Sequence, residues 1–109
     1  MDKNKVGYQQ ALMKNFESLG KEKVSVIHSA FGDKPHVVAF VDVNKTWTVT
    51  EKLEFAFEKT NSINDAWWTN EGITKMFDGA TCRSTSVGDM VLLSSGKKYK
   101  VDACGWSEV

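Results

Sequence analysis

His36-Val37-Val38-Ala39-Phe40-Val41-Asp42-Val43 is the strongest strand signal in the chain, and its reading decides the fold. Apolar residues occupy both faces of the run, as they do in a strand at the centre of a sheet. Just upstream, Phe31-Gly32-Asp33-Lys34-Pro35 has turn composition, and the only proline of the chain fixes its exit. Before that turn lies a second β-branched run, Val24-Ser25-Val26-Ile27-His28, spaced to pair with the first as a hairpin. Such pairing brings His28 and His36 towards each other. No third ligand is spaced for them and a structural zinc site takes four, so the two are expected as strand-edge residues and no metal is expected.

Downstream, Thr46 to Asn61 carries two periodicities at once. Leu53, Phe55 and Phe57 alternate as a strand would, whereas Leu53, Ala56, Phe57 and Thr60 share one helical face. Local chemistry decides between them. Thr48 and Glu51 have the spacing of a capping box and Glu51-Lys52-Leu53-Glu54 are good helix formers, which predicts a helix from about Thr50 to Thr60 with Phe55 at the edge of its buried stripe. Towards the N-terminus, Tyr8, Leu12 and Phe16, with Ala11 and Leu19 beside them, predict an amphipathic helix over residues 5–19, closed by Gly20. At the other end, Met90-Val91-Leu92-Leu93, the turn Ser94-Ser95-Gly96-Lys97 and Lys98 to Ala103 form a β-hairpin with Tyr99, Val101 and Ala103 towards the core. Between helix and hairpin, residues 61–88 show little periodicity apart from a short strand signal at Gly72 to Phe77. The expectation is a single α+β domain spanning 1–109. In it, two helices pack on one face of a mainly antiparallel β-sheet that ends in the C-terminal hairpin, with Trp106 folded back onto the body.

Composition agrees with one soluble domain. The chain has 109 residues, 41% of them apolar and 26% charged, and its 14 Lys and Arg balance 14 Asp and Glu. A net charge of zero provides no global field towards nucleic acid or an anionic membrane. No apolar run approaches the length of a membrane span, and Met1-Asp2-Lys3-Asn4-Lys5 does not lead into a signal-peptide core, so a cytoplasmic location and no membrane partner are expected. Two cysteines, Cys82 and Cys104, are too few for a disulfide framework and are expected as free thiols.

Functional residues concentrate in the connection from Thr60 to Asp89. Arg83-Ser84-Thr85-Ser86-Val87-Gly88-Asp89 admits two readings. Its hydroxyls, amides and carboxylate can staple an irregular loop internally, or Arg83 can fork a phosphate or carboxylate with Ser84 and Ser86 donating alongside. The adjacent Trp67 and Trp68 admit the same choice. In extended chain they point to opposite sides, one into the core and one outward to a protein partner or a stacked base. Neither a GxxxxGK[ST] nor a GxGxxG phosphate loop accompanies them.

Thr60-Asn61-Ser62-Ile63, Trp67-Trp68-Thr69-Asn70-Glu71-Gly72, Arg83 to Asp89 and the ending Ala103-Cys104-Gly105-Trp106 together resemble a group of small, uncharacterised proteins encoded by bacteriophages and other mobile elements. Arg-Ser-x-Ser-Val-x-Asp is also faintly similar to the YodL-like domains of bacterial mobile elements. The resemblance covers about residues 48–109. It implies a phage or plasmid accessory protein acting on a host component. The expected function is therefore non-catalytic binding and modulation of a host or phage protein, with Asn61, Trp67, Trp68, Arg83, Ser84, Ser86, Asp89 and Trp106 as candidate contacts and no cofactor. Nucleic-acid binding is the alternative. A small enzyme is the third reading, since both histidines lie far upstream of any Ser or Cys nucleophile and only the fold can bring them there.

Overall fold

The computed structural model describes residues 20–61 and 66–109. Six strands form one sheet in the order β3-β2-β1-β4-β5-β6, with every neighbouring pair antiparallel. They are β1 (Lys21–His28), β2 (His36–Asn44), β3 (Ile73–Lys75), β4 (Met90–Leu92), β5 (Lys98–Asp102) and β6 (Gly105–Glu108). One helix, α1 (Val49–Lys59), lies between β2 and β3, and a short 3-10 turn, Trp67–Thr69, follows it.

The expectation of two helices packed on the sheet is corrected. Among the described residues there is one α-helix against six strands, and the fold is mostly β. The helix expected over 5–19 lies outside the described residues. The tail beyond the hairpin, expected only to fold back, forms β6 instead, pairing Val101 with Trp106 and Tyr99 with Glu108. Ala103 is therefore an exposed residue of the β5–β6 turn rather than a core residue.

The His36 to Val43 run is a central strand. Its pairing with β1 matches Val24 to Val41 and Val26 to Ala39, then skips so that Ile27 meets Val37. Val38 is the extra residue of a β-bulge, and Val38 and Ala39 are both fully buried. The core gathers Val24, Val26, Ala39, Val41, Val43 and Val91 from the sheet with Leu53 and Ala56 from α1. Period-2 burial on the strands thus meets the 3.6-residue stripe of the helix on one face of the sheet. Thr48 caps α1 as its spacing predicts: its hydroxyl accepts from Glu51 N at 3.1 Å and its own N–H donates to Glu51 Oε1 at 2.9 Å. Phe55 sits at the stripe's edge, edge-on to Trp47 with ring centroids 4.9 Å apart.

Candidate functional site

The connection between α1 and β4 is organised by one carboxylate. Asp89 is fully buried at the entrance to β4. Its Oδ1 accepts from the backbone N–H of Ser29 at 2.8 Å and of Ala30 at 2.9 Å, and its Oδ2 accepts from Ser86 N at 2.8 Å. Arg83 closes the group with a bidentate fork, Nη1 to Oδ2 at 2.7 Å and Nη2 to Oδ1 at 2.9 Å. Burial would raise the Asp89 pKa, but Arg83 and the three amides outweigh it and hold the carboxyl at about 2. The remaining N–H groups of Arg83 reach Asp33 Oδ2 and the Ser84 carbonyl, so all five have acceptors within the chain. Asp89 and Asp33 hold the guanidinium charged, its pKa raised above the ordinary arginine value. Gly88 permits this closure. Its φ is +100°, and a Cβ there would lie 3.1 Å from the Cβ of Ala30.

A second buried network runs beside the first, and counting its protons assigns every donor. Thr60 Oγ1 donates to the Ala56 carbonyl at 2.8 Å, which uses its only proton. Thr85 Oγ1, 2.7 Å away, must therefore donate to Thr60 Oγ1. With that proton spent, the contact between His28 Nε2 and Thr85 Oγ1 at 3.1 Å makes Nε2 the protonated nitrogen. His28 Nδ1 then carries the lone pair, and the Cys82 thiol donates to it across 3.7 Å. The relay passes from Cys82 through His28, Thr85 and Thr60 to the α1 backbone. It ties β1 and the loop to the end of the helix, where Thr85 N also donates to the Thr60 carbonyl and Asn61 Nδ2 to the Thr85 carbonyl.

The other expected contacts take their places around these networks. Trp67 is 1% exposed, with its Nε1 donating to the Arg83 carbonyl at 3.1 Å. Trp68 is half-buried. Successive residues of a 3-10 turn lie about 120° apart rather than on opposite sides, and both indoles join one aromatic cluster with Phe77, ring centroids 5.3 to 5.7 Å apart. Ser86 Oγ donates to the Ser84 carbonyl. Trp106 lies elsewhere, on β6, donating from Nε1 to Glu54 Oε2 at 2.9 Å and meeting Phe57 edge-on. His28, expected at a strand edge, is instead fully buried in a central strand, with the His36 ring 6.2 Å away at the mouth of the hairpin.

One residue of the site was not expected. Phe31 is 78% exposed and is the one non-glycine residue with positive φ among those described, at +58°. With Gly32 at +78° and Asp33 N donating to the Ala30 carbonyl, the turn has the positive-φ pair of a type I′ turn, whose first central position favours Asn, Asp or Gly. A phenylalanine there costs on the order of 1–2 kcal/mol. Its ring lies under the Arg83 guanidinium at 5.0 Å, and Asp33, two residues further along the same turn, holds that guanidinium. The signal available from sequence was the aromatic preceding Gly32, where a polar turn residue is the norm.

Chemically, Cys82 beside a histidine nitrogen has the outline of a nucleophile and base, but its electrostatics oppose ionisation. Burial lowers His28 to about 4, and Asp89 only partly offsets it; burial also pushes the Cys82 thiol up. The neutral thiol and neutral imidazole are the favoured pair. Both cysteines are free, and no set of three metal-ligating side chains converges among the described residues. No described helix is long and apolar enough to cross a membrane. No family model, curated protein or solved structure matches the chain, so the functional reading rests on this geometry.

Proposed function

We propose that the chain is a non-catalytic accessory protein of a phage or mobile element that binds and modulates a host or phage protein, and that Phe31 is the centre of its contact surface. The observation that carries the reading is an aromatic ring held in solvent on strained backbone. Nothing in the packing of the core requires a phenylalanine at that turn, and it stays there only because the Arg83, Asp33 and Asp89 network determines the loop around it. Aromatic residues, phenylalanine among them, and arginine are enriched at protein interfaces relative to the rest of the surface. Val87, also exposed, lies next to Gly88, whose carbonyl accepts from Ser29 Oγ at 2.8 Å, so the rim of the 61–89 connection adjoins the Phe31 turn. In this reading the candidate residues Asn61, Trp67, Arg83 and Asp89 build the support, and Phe31 makes the contact.

Nucleic-acid binding has less support. Trp68 is packed edge-on against two neighbouring rings, and all the N–H groups of Arg83 are engaged, which leaves neither a stacking platform nor a fork for phosphate at this site. An enzyme has less again, given the unionised Cys82 and His28.

The test compares the full chain, Phe31→Asn and a control, Lys45→Ala, in affinity capture from host extract. Asn-Gly is the preferred type I′ pair, so the substitution keeps the turn and removes the ring. A partner retained by the wild type and the control but lost by Phe31→Asn, with circular dichroism unchanged, is the expected outcome. Retention of every partner by Phe31→Asn overturns the proposal.

A further inference from the structure

Cys82 and His28 stand together at the outer end of the buried relay, a thiol facing a nitrogen lone pair. His28 is 1% exposed, so its ring makes its hydrogen bonds inside the protein. Nε2 carries the proton and donates it to Thr85 Oγ1 at 3.1 Å, with the Asp89 carboxylate 3.8 Å away. Nδ1 keeps its lone pair, aimed at Cys82 Sγ across 3.7 Å, a long contact from a weak donor. An imidazole whose N–H is engaged beside a carboxylate, while its other nitrogen faces a thiol, has the arrangement of a metal-ligating histidine. The loop keeps the sulfur in place. Cys82 packs against the core, and the Arg83 carbonyl that follows it is held by Trp67 Nε1 at 3.1 Å. Cys82 is only partly buried, so an ion can reach it from solvent.

We propose that Cys82 Sγ and His28 Nδ1 bind one soft monovalent metal ion, Cu(I) in chemical class, as a two-ligand site. Ligand number and charge select the ion. Both histidines and both cysteines of the chain are among the described residues. Cys104 is exposed in the β5–β6 turn, and His36, its ring 6.2 Å from that of His28, does not complete a set of three. Zinc takes four ligands in structural sites and is not suited. Cu(I), a closed-shell ion selected by thiolates, is satisfied by two. On binding, the thiol proton leaves to solvent and both bonds form from ligand lone pairs, with no change of oxidation state. Thiolate, neutral imidazole and monovalent cation together carry no net charge. Burial, which opposes ionising the thiol alone, therefore does not oppose the complex. Metal–sulfur and metal–nitrogen bonds of about 2.3 and 2.0 Å span about 4.3 Å in line. The 3.7 Å separation thus admits the ion with a bend at the metal or a small turn of the thiol. The inference is independent of the Phe31 contact.

Anaerobic titration of the full chain with Cu(I) against a competing chromogenic chelator tests it. Wild type and Cys104→Ser should each hold one equivalent. Cys82→Ser should bind at least about 100-fold more weakly, since losing a ligand exceeds the 10- to 100-fold effect of losing an outer-shell partner. Copper X-ray absorption on the loaded Cys104→Ser protein should show one sulfur and one imidazole nitrogen, and the same signature should survive His36→Ala. That pair of spectra identifies His28 without a substitution in the core. Equal weakening by Cys82→Ser and Cys104→Ser overturns the inference. So does a copper site of sulfur alone, loss of the nitrogen with His36→Ala, or a wild type that yields all its copper to the chelator.

Discussion

The connection from Thr60 to Asp89 and the turn at Phe31 meet just beyond β1, where Ser29 and Ala30 donate to Asp89, and they differ in what they bury and what they expose. In the described residues of the connection from Thr60 to Asp89, the buried polar groups of two networks are paired: Asp89 accepts five hydrogen bonds and the relay from Cys82 to Ala56 places each proton. In the turn at Phe31, the chain leaves a large ring in water on left-handed backbone. The contrast separates what the fold needs from what the fold merely tolerates. A buried polar group left unpaired is heavily penalised, so the first loop is dense with amides and hydroxyls for reasons of stability. Strain that brings no packing in return points to use, and among the described residues it is found in the second.

The comparison breaks most sharply at Asp89. Asp89→Ala leaves the Arg83 guanidinium and three backbone amides without their acceptor, and chemical denaturation should show a loss of about 4 kcal/mol. That is a large part of the total stability of a small domain, so the variant should lie close to unfolding at ambient temperature.

Acid should undo the same loop in two stages. The His28 pKa, about 4 when folded, is below its ordinary 6.5, so its contribution is complete above pH 6.5 and is lost as pH falls towards 4. Asp89, at about 2 against an ordinary 3.8, extends the loss from below pH 4 towards 2. Denaturation midpoints followed against pH should fall steadily from 6.5 to 4, by about 3 kcal/mol in stability from His28 alone. A flat profile over that range would show that His28 is not buried as a neutral group.

Thr85→Val interrupts the relay without changing the size of the side chain much. His28 Nε2–H loses its acceptor and Thr60 its donor, for an expected loss of about 2 kcal/mol by denaturant titration. Cys82 should also become more accessible to thiol reagents, because the ring that accepts its proton is no longer held in place.

The smallest effect has the opposite sign. Phe31→Asn should leave stability unchanged or raise it by up to about 1 kcal/mol, since relief of the left-handed strain exceeds the exposed contact with Arg83. A clear loss of stability would make Phe31 a fold residue and erase the difference between the two loops.

Much of the framework was legible without the fold. The β-branched runs, the Thr48 and Glu51 box and the hairpin around Gly96 are each decided by neighbours a few residues apart, and they appear within a residue of their expected bounds except that β1 begins three residues earlier, at Lys21. β6 was not, because Gly105-Trp106-Ser107-Glu108 has no alternation of its own and becomes a strand only by pairing with β5. The two tryptophans were placed on opposite sides of an extended segment, whereas the local 3-10 turn gathers both into one cluster. The loop from Arg83 to Asp89 was recognisable as either a staple or an anion fork, and its two readings differ only in what lies opposite.

What lies opposite comes from far along the chain. Ser29 and Ala30 are about 60 residues from Asp89, His28 is 54 from Cys82, and Thr60 is 25 from Thr85. The sequence by itself determined that the segments of β1, β2, β4 and β5 become strands and that of α1 a helix, because propensity, capping and turn chemistry act over a few residues. Only the tertiary structure decided that Arg83 is a brace, that the histidine is a buried neutral link, and that the exposed aromatic is Phe31 rather than a tryptophan. Hydrogen-bond partnership and desolvation depend on which surfaces the sheet brings together, and no local spacing encodes that.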